Sequence, residues 1–194
     1  YSFSRFIEEN RSDFSKTIIK ENLLTFFYNE LYNYFDNPTF IYIARDPRDN
    51  IRSILNRLNI PGNLDSLPDY YLNKISPTQK LVIRNEWLGI HSEHYIEALA
   101  ERWNFASDVF LQNKRNMHLL RYEDFVKNKE NEVANLAEKT GLPVVNDISS
   151  LVDVQYQPKG DHDVSWLNFY GSENLAIIEN TCNERMKLFL YSDP

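Results

Sequence analysis

Cysteine, glycine and long apolar runs are what this sequence has least of, and each scarcity narrows what the chain can be. A single cysteine, Cys182, stands among 194 residues, so no disulfide forms within the chain. A reducing, cytoplasmic compartment is therefore the expectation. No apolar run is long enough to span a bilayer, and no signal-peptide pattern precedes the first helical pattern. An excess of positive charge is also missing. With 28 acidic and 21 basic residues the net charge is −7, which disfavours nucleic acid as the main partner. A small anionic ligand stays open, because it needs only a few focused positive groups. The five glycines, Gly62, Gly89, Gly141, Gly160 and Gly171, never form a Gly-rich loop followed by Lys and Ser or Thr.

What is present reads as one domain over residues 1–194, with 42% hydrophobic and 25% charged residues and no internal repeat. The opening, Phe3 to Phe14, has the pattern of a short amphipathic helix, and Thr17-Ile18-Ile19 that of a brief buried strand. Leu23 to Phe35 is a helical stretch that Asn37-Pro38 ends. Phe40 to Ala44 is a continuous apolar run of strand character. Strand, helix and strand in that order predict a βαβ unit with parallel strands. Asp46 as N-cap and Pro47 at the first helical position open a helix to about Leu58. Residues Pro61 to Pro77 read as an irregular excursion. Helices are then predicted over Gln79 to Tyr95 and Glu97 to Asn113, a strand over Met117 to Leu120, and a helix over Glu130 to Thr140 closed by Gly141. A last helix runs from Glu173 to Leu190. The alternation makes the class α/β, a central parallel sheet flanked by helices.

The chemistry concentrates in Phe40 to Arg57. Ligands of open α/β sheets bind beyond the carboxyl ends of the strands, and a helix N-terminus favours anions there. Arg45, at the end of the strand, has a planar fork suited to a phosphate. Ser53 shares a helix face with Asp49 and can add a donor. The competing reading of Arg45, Asp46, Arg48 and Asp49 is a solvated ion-pair cluster that caps a helix.

Arg45-Asp46-Pro47-Arg48-Asp49 with Ser53 resembles the 3′-phosphate motif of the sulfotransferases that use 3′-phosphoadenosine 5′-phosphosulfate (PAPS). Leu120-Arg121-Tyr122-Glu123-Asp124-Phe125, followed by a helix and Gly141-Leu142-Pro143, resembles that family's strand ending in Tyr-Glu-Asp. Ile18-Ile19-Lys20 and Trp103 fall where the family has a lysine-ended strand and a helical tryptophan. The resemblance implies a P-loop NTPase-like fold, with Arg45 and Ser53 on the 3′-phosphate and Tyr122 on the adenosine. Lys159 and Gly160, with Trp166 after them, resemble the basic loop that closes over PAPS, although Pro158 stands where an arginine is usual. The family's phosphosulfate-binding loop has no counterpart here, so the N-terminal part of such a domain is expected upstream of Tyr1.

The implied reaction moves the sulfuryl group from PAPS to a hydroxyl of a small molecule, lipid, sugar or peptide, leaving 3′,5′-adenosine bisphosphate (PAP). It needs a base and no metal. His91 and His94, three apart on the helix predicted over Gln79 to Tyr95, are the candidate bases, although surface histidines share that spacing. Asp161-His162-Asp163 has metal-ligand types but no partner cluster, so a polar loop is expected. Two rivals stand beside the enzyme: a non-catalytic nucleotide-binding module of the same fold, and a P-loop nucleotide kinase, which the paired motifs argue against.

Overall fold

The parallel pairing expected of the sheet is present, in two strands widely separated along the chain. The computed structural model describes residues 2–154 and 163–191. Strand β1 (Phe40–Ala44) pairs in parallel with β2 (Met117–Arg121), in a register running from Phe40↔Met117 to Ala44↔Arg121. Ahead of β1 come α1 (Phe3–Glu9), α2 (Arg11–Phe14), a 3-10 helix over Asn22–Phe27 and α3 (Tyr28–Tyr34). Between the strands lie α4 (Pro47–Leu58), α5 (Asp69–Leu72), α6 (Pro77–Arg84), a 3-10 turn at Glu86–Leu88 and α7 (Tyr95–Asn113). After β2 follow α8 (Tyr122–Lys127), α9 (Lys129–Thr140) and α10 (Trp166–Leu188).

Helices α7 and α10 pack on each other and, with α4, hold the core. Tyr42 of β1 stacks on Phe110 of α7 and touches Phe189 just past α10. Ile51 and Leu55 of α4, Leu99 of α7, and Ile178 and Cys182 of α10 are almost wholly shielded from solvent. Burial of this many apolar side chains is the main driving force for the fold. Helix α10 carries a kink at Gly171, where φ is 71° and ψ is 170°, a conformation that costs glycine little.

Several expectations need correcting. Residues 17–19 form no strand: Ile18 and Ile19 are exposed in irregular backbone, so β1 pairs with β2 rather than with a strand upstream. The run Phe40 to Ala44 is not buried on both faces. Tyr42 and Ala44 are buried, while Ile41 and Ile43 are exposed, because helices cover one face only among the described residues. The stretch 79–95 is not one helix. It breaks at Asn85, which takes a left-handed conformation (φ 56°). Its buried amide donates to the carbonyl of Ala98, a tertiary contact that local pattern does not announce. Expected caps hold: Asp46 accepts from the N–H of Arg48 with Pro47 at the first position, and Gly141 closes α9 with φ 69°.

Candidate functional site

Arg45 and Tyr122 each stand one residue beyond the paired ends of the sheet, Ala44 and Arg121. Parallel register therefore brings together two residues from motifs far apart in sequence. The Arg45 guanidinium lies over the Tyr122 ring, 4.5 Å from its centroid. Its Nε is buried and has no hydrogen-bond partner. No carboxylate among the described residues pairs with it. A half-buried guanidinium with an open donor and no counter-charge is a natural seat for an anion. Trp103 of α7 fixes the backbone here, its indole Nε1 donating to the Arg45 carbonyl at 2.9 Å.

The remaining charges of Arg45-Asp46-Pro47-Arg48-Asp49 are already neutralised, and they are not solvated. Arg48 makes a bidentate pair with Asp46, Nη2 to Oδ2 at 2.7 Å and Nε to Oδ1 at 3.0 Å, with both side chains buried. It also donates to Glu179 and to the Tyr191 carbonyl. Burial works against the cation, but the hydrogen bonds and charges of Asp46 and Glu179 outweigh it and hold Arg48 above its ordinary value. The two strand ends are tied through Glu123, which accepts from the Asp46 N–H and from the Tyr191 hydroxyl, both at 2.9 Å. Burial, then the Glu123 charge, push the Tyr191 hydroxyl upward.

A second clamp grips α4 from the C-terminal side. Asp49 Oδ1 accepts from Arg52 at 2.6 Å and from Trp166 Nε1 at 2.8 Å. Trp166 also lies under the Arg48 guanidinium at 3.8 Å, and Arg52 donates to the Val164 carbonyl at 2.7 Å. Lys159 and Gly160 precede this anchor but lie outside the described residues, as do Asp161 and His162. Among the described residues no group of His, Cys, Asp and Glu is arranged to hold a metal ion, and no helix is long and apolar enough to cross a membrane.

Ser53 is exposed on α4, one turn after Asp49, and its hydroxyl makes no hydrogen bond to another described residue. His91 and His94 are not on a helix, so the shared helical face expected of them does not exist. His91 is exposed in irregular backbone. His94 is the N-cap residue of α7 and stacks on Tyr95, with Nδ1 buried and unpartnered. Among the described residues no hydrogen bond or ring contact joins either histidine to Arg45, Ser53 or Tyr122. Sequence reasoning missed the structural weight of Glu123 and Tyr191. Glu123 sits inside the Tyr-Glu-Asp motif, but no local signal marks Tyr191 as its partner.

Residues 2–147 match the model of the sulfotransferase family, about three quarters of the chain. Searches of curated proteins and of solved structures find no significant match.

Proposed function

We propose a donor and an acceptor class for this chain, which belongs to the sulfotransferase family: the donor is PAPS and the acceptor a hydroxyl of an organic molecule. The observation that carries the reading is the Arg45 guanidinium, over Tyr122 at 4.5 Å with a buried donor left open, at the carboxyl end of β1 and next to the start of α4. Arg45 neutralises the 3′-phosphate, the free Ser53 hydroxyl adds a donor from α4, and Tyr122 contacts the adenosine. Lys159 and Gly160 are assigned to the phosphates on resemblance alone. In the transfer, the acceptor oxygen bonds to sulfur in line as the bond from sulfur to the bridging phosphate oxygen breaks. The hydroxyl proton goes to a base, and PAP leaves. Positive groups at the leaving phosphate lower the barrier. No base is assigned, since neither His91 nor His94 is joined to Arg45, Ser53 or Tyr122 by a hydrogen bond or ring contact among the described residues.

A second reading, a nucleotide-binding module of the same fold without transfer activity, shares the Arg45–Tyr122 pair at the strand ends. Both readings are tested by titrating PAP against the chain with 5′-AMP as control, using calorimetry. The 3′-phosphate site predicts clear preference for PAP, and an Arg45→Ala variant weakened by about 2–3 kcal/mol, as for a charged hydrogen bond. Equal binding of both nucleotides, or unchanged PAP binding by the variant, overturns the site. Release of sulfated acceptor from labelled PAPS separates enzyme from module.

A further inference from the structure

Six arginines are buried or half-buried among the described residues: Arg45, Arg48, Arg52, Arg102, Arg121 and Arg185. Four face carboxylates: Arg48 with Asp46, Arg52 with Asp49, Arg121 with Asp124 and Arg185 with Asp108, at 2.6–3.3 Å. Arg45 and Arg102 do not. Both stand over an aromatic ring at 4.5 Å, Arg45 on Tyr122 and Arg102 on Phe26. The first belongs to the nucleotide reading, and the second has no part in it.

Arg102 lies on α7 and is 9% exposed. Among the described residues its one hydrogen-bond acceptor is Asn85 Oδ1, reached by Nη1 at 3.1 Å. That oxygen is aimed by construction. Asn85 is fully buried, and its Nδ2 donates to the carbonyls of Ile83 and Ala98, which turns Oδ1 toward the guanidinium. A guanidinium has five N–H donors in a rigid fork, so most of the fork is unspent. Desolvation lowers Arg102 to about 10, and no carboxylate offsets it; the group is still cationic at neutral pH. Phe26, beneath the cation, touches Trp87 and Phe105. Trp87 also lines an apolar cavity of about 150 Å³ with Leu23, Phe27, Leu81 and Val82.

We propose that Arg102 is an oxyanion subsite that takes a carboxylate or sulfate group, with the Phe26–Trp87 wall beside it for the body that carries the group. The fork pairs bidentately with a planar or tetrahedral oxyanion, and the low local dielectric strengthens the attraction. The anion site does not rest on the proposed function, since Arg102 faces Asn85 and Phe26 rather than the strand ends.

The test uses the whole chain carrying Arg45→Ala, so that the response at the strand ends is removed. Sodium sulfate and sodium benzoate are titrated separately against sodium chloride at matched ionic strength. The readout is the ¹⁵N–¹H resonance of the Arg102 Nε, assigned by its disappearance in Arg102→Lys, together with Tm. The expected result is a saturable shift of that resonance and a saturable rise in Tm, with affinity weakened about tenfold or more in Arg102→Gln. The general salting effect of sulfate does not saturate. Saturation with benzoate identifies an organic acid as the occupant. Saturation with sulfate alone identifies a free inorganic anion. No saturable shift with either probe overturns the subsite, and the resonance reports this even where Arg102→Gln does not fold. PAP titration with Arg45 intact is independent of the result, so failure of the subsite and failure of the nucleotide reading are separately visible.

Discussion

The guanidinium of Arg45 lies 4.5 Å from the centroid of the Tyr122 ring, across strands whose register ends at Ala44↔Arg121. Tyr122 thus presents its face to the cation proposed to hold the 3′-phosphate, and the pair is expected to act as one binding element. Cation–π pairs at partly exposed sites are worth about 0.5–1 kcal/mol. In a double-mutant cycle read by PAP affinity, Arg45→Ala and Tyr122→Ala each weaken binding. The double variant is expected to lose about 0.5–1 kcal/mol less than the sum of the two. Strict additivity would mean that the two residues serve the ligand separately.

Asp46 has two duties that one substitution separates. Its Oδ1 caps α4 at the Arg48 N–H, and both its oxygens pair with the buried Arg48 side chain. Asp46→Ala removes the cap and leaves the buried Arg48 guanidinium only Glu179 and the Tyr191 carbonyl, an expected loss of about 3 kcal/mol in urea unfolding. Asp46→Asn keeps a good cap and an acceptor, so its loss is smaller. Equal losses for the two variants would mean that the cap contributes little and the charge pair nearly everything.

The parts of this molecule that were legible in sequence are those fixed by local rules. Asp46-Pro47 opens α4, Gly141 closes α9, and the apolar runs from Phe40 and Met117 become the paired strands. The parts that were not legible depend on distant partners. Thr17-Ile18-Ile19 has strand composition but no strand beside it among the described residues, and without a ladder its backbone stays irregular. The helical pattern through Asn85 is broken by a contact with Ala98. At the site, Arg45 and Tyr122 were named from the motifs, whereas the neutralisation of Arg48 by Asp46 and Glu179 was not. Glu179 lies 131 residues from Arg48, and no periodicity carries that information.

Gly62 sits where α10 comes down on the loop after α4. A Cβ there would meet Phe169 at 2.5 Å from Cε1 and 2.9 Å from the backbone carbonyl oxygen. The ring can rotate away, but the carbonyl cannot move without shifting the first turn of α10. The Gly62 carbonyl also accepts from Asn174 at 2.8 Å, so displacing the loop disturbs a buried hydrogen bond. Gly62→Ala is expected to cost about 1–3 kcal/mol, measured by urea unfolding. A neutral result would show that the loop slides freely against α10.

Cys182 gives the molecule an alkaline limit. It is fully buried on α10, with Sγ donating to the Ala100 carbonyl at 3.6 Å. Burial first, then the Asp46 charge, push its thiol from 9.0 up to about 12, with Arg185 opposing. The folded state therefore holds this proton more tightly than the unfolded chain. Between about pH 9 and 12 the folded protein binds more protons than the unfolded one, so this contribution to stability falls as pH rises. It is complete below pH 9. Tyr42, buried against Phe110 and pushed up to about 12 mainly by burial, adds to the same loss with a later onset, since its ordinary value is 10.0. Urea unfolding from pH 8 upward should show declining stability, and Cys182→Ala should flatten part of the decline at the cost of a small cavity. The same burial predicts that a thiol reagent labels Cys182 at pH 8 only at the rate of unfolding, because the reactive thiolate is scarce and shielded. Rapid labelling of the native protein would show that α7 and α10 open locally at this point.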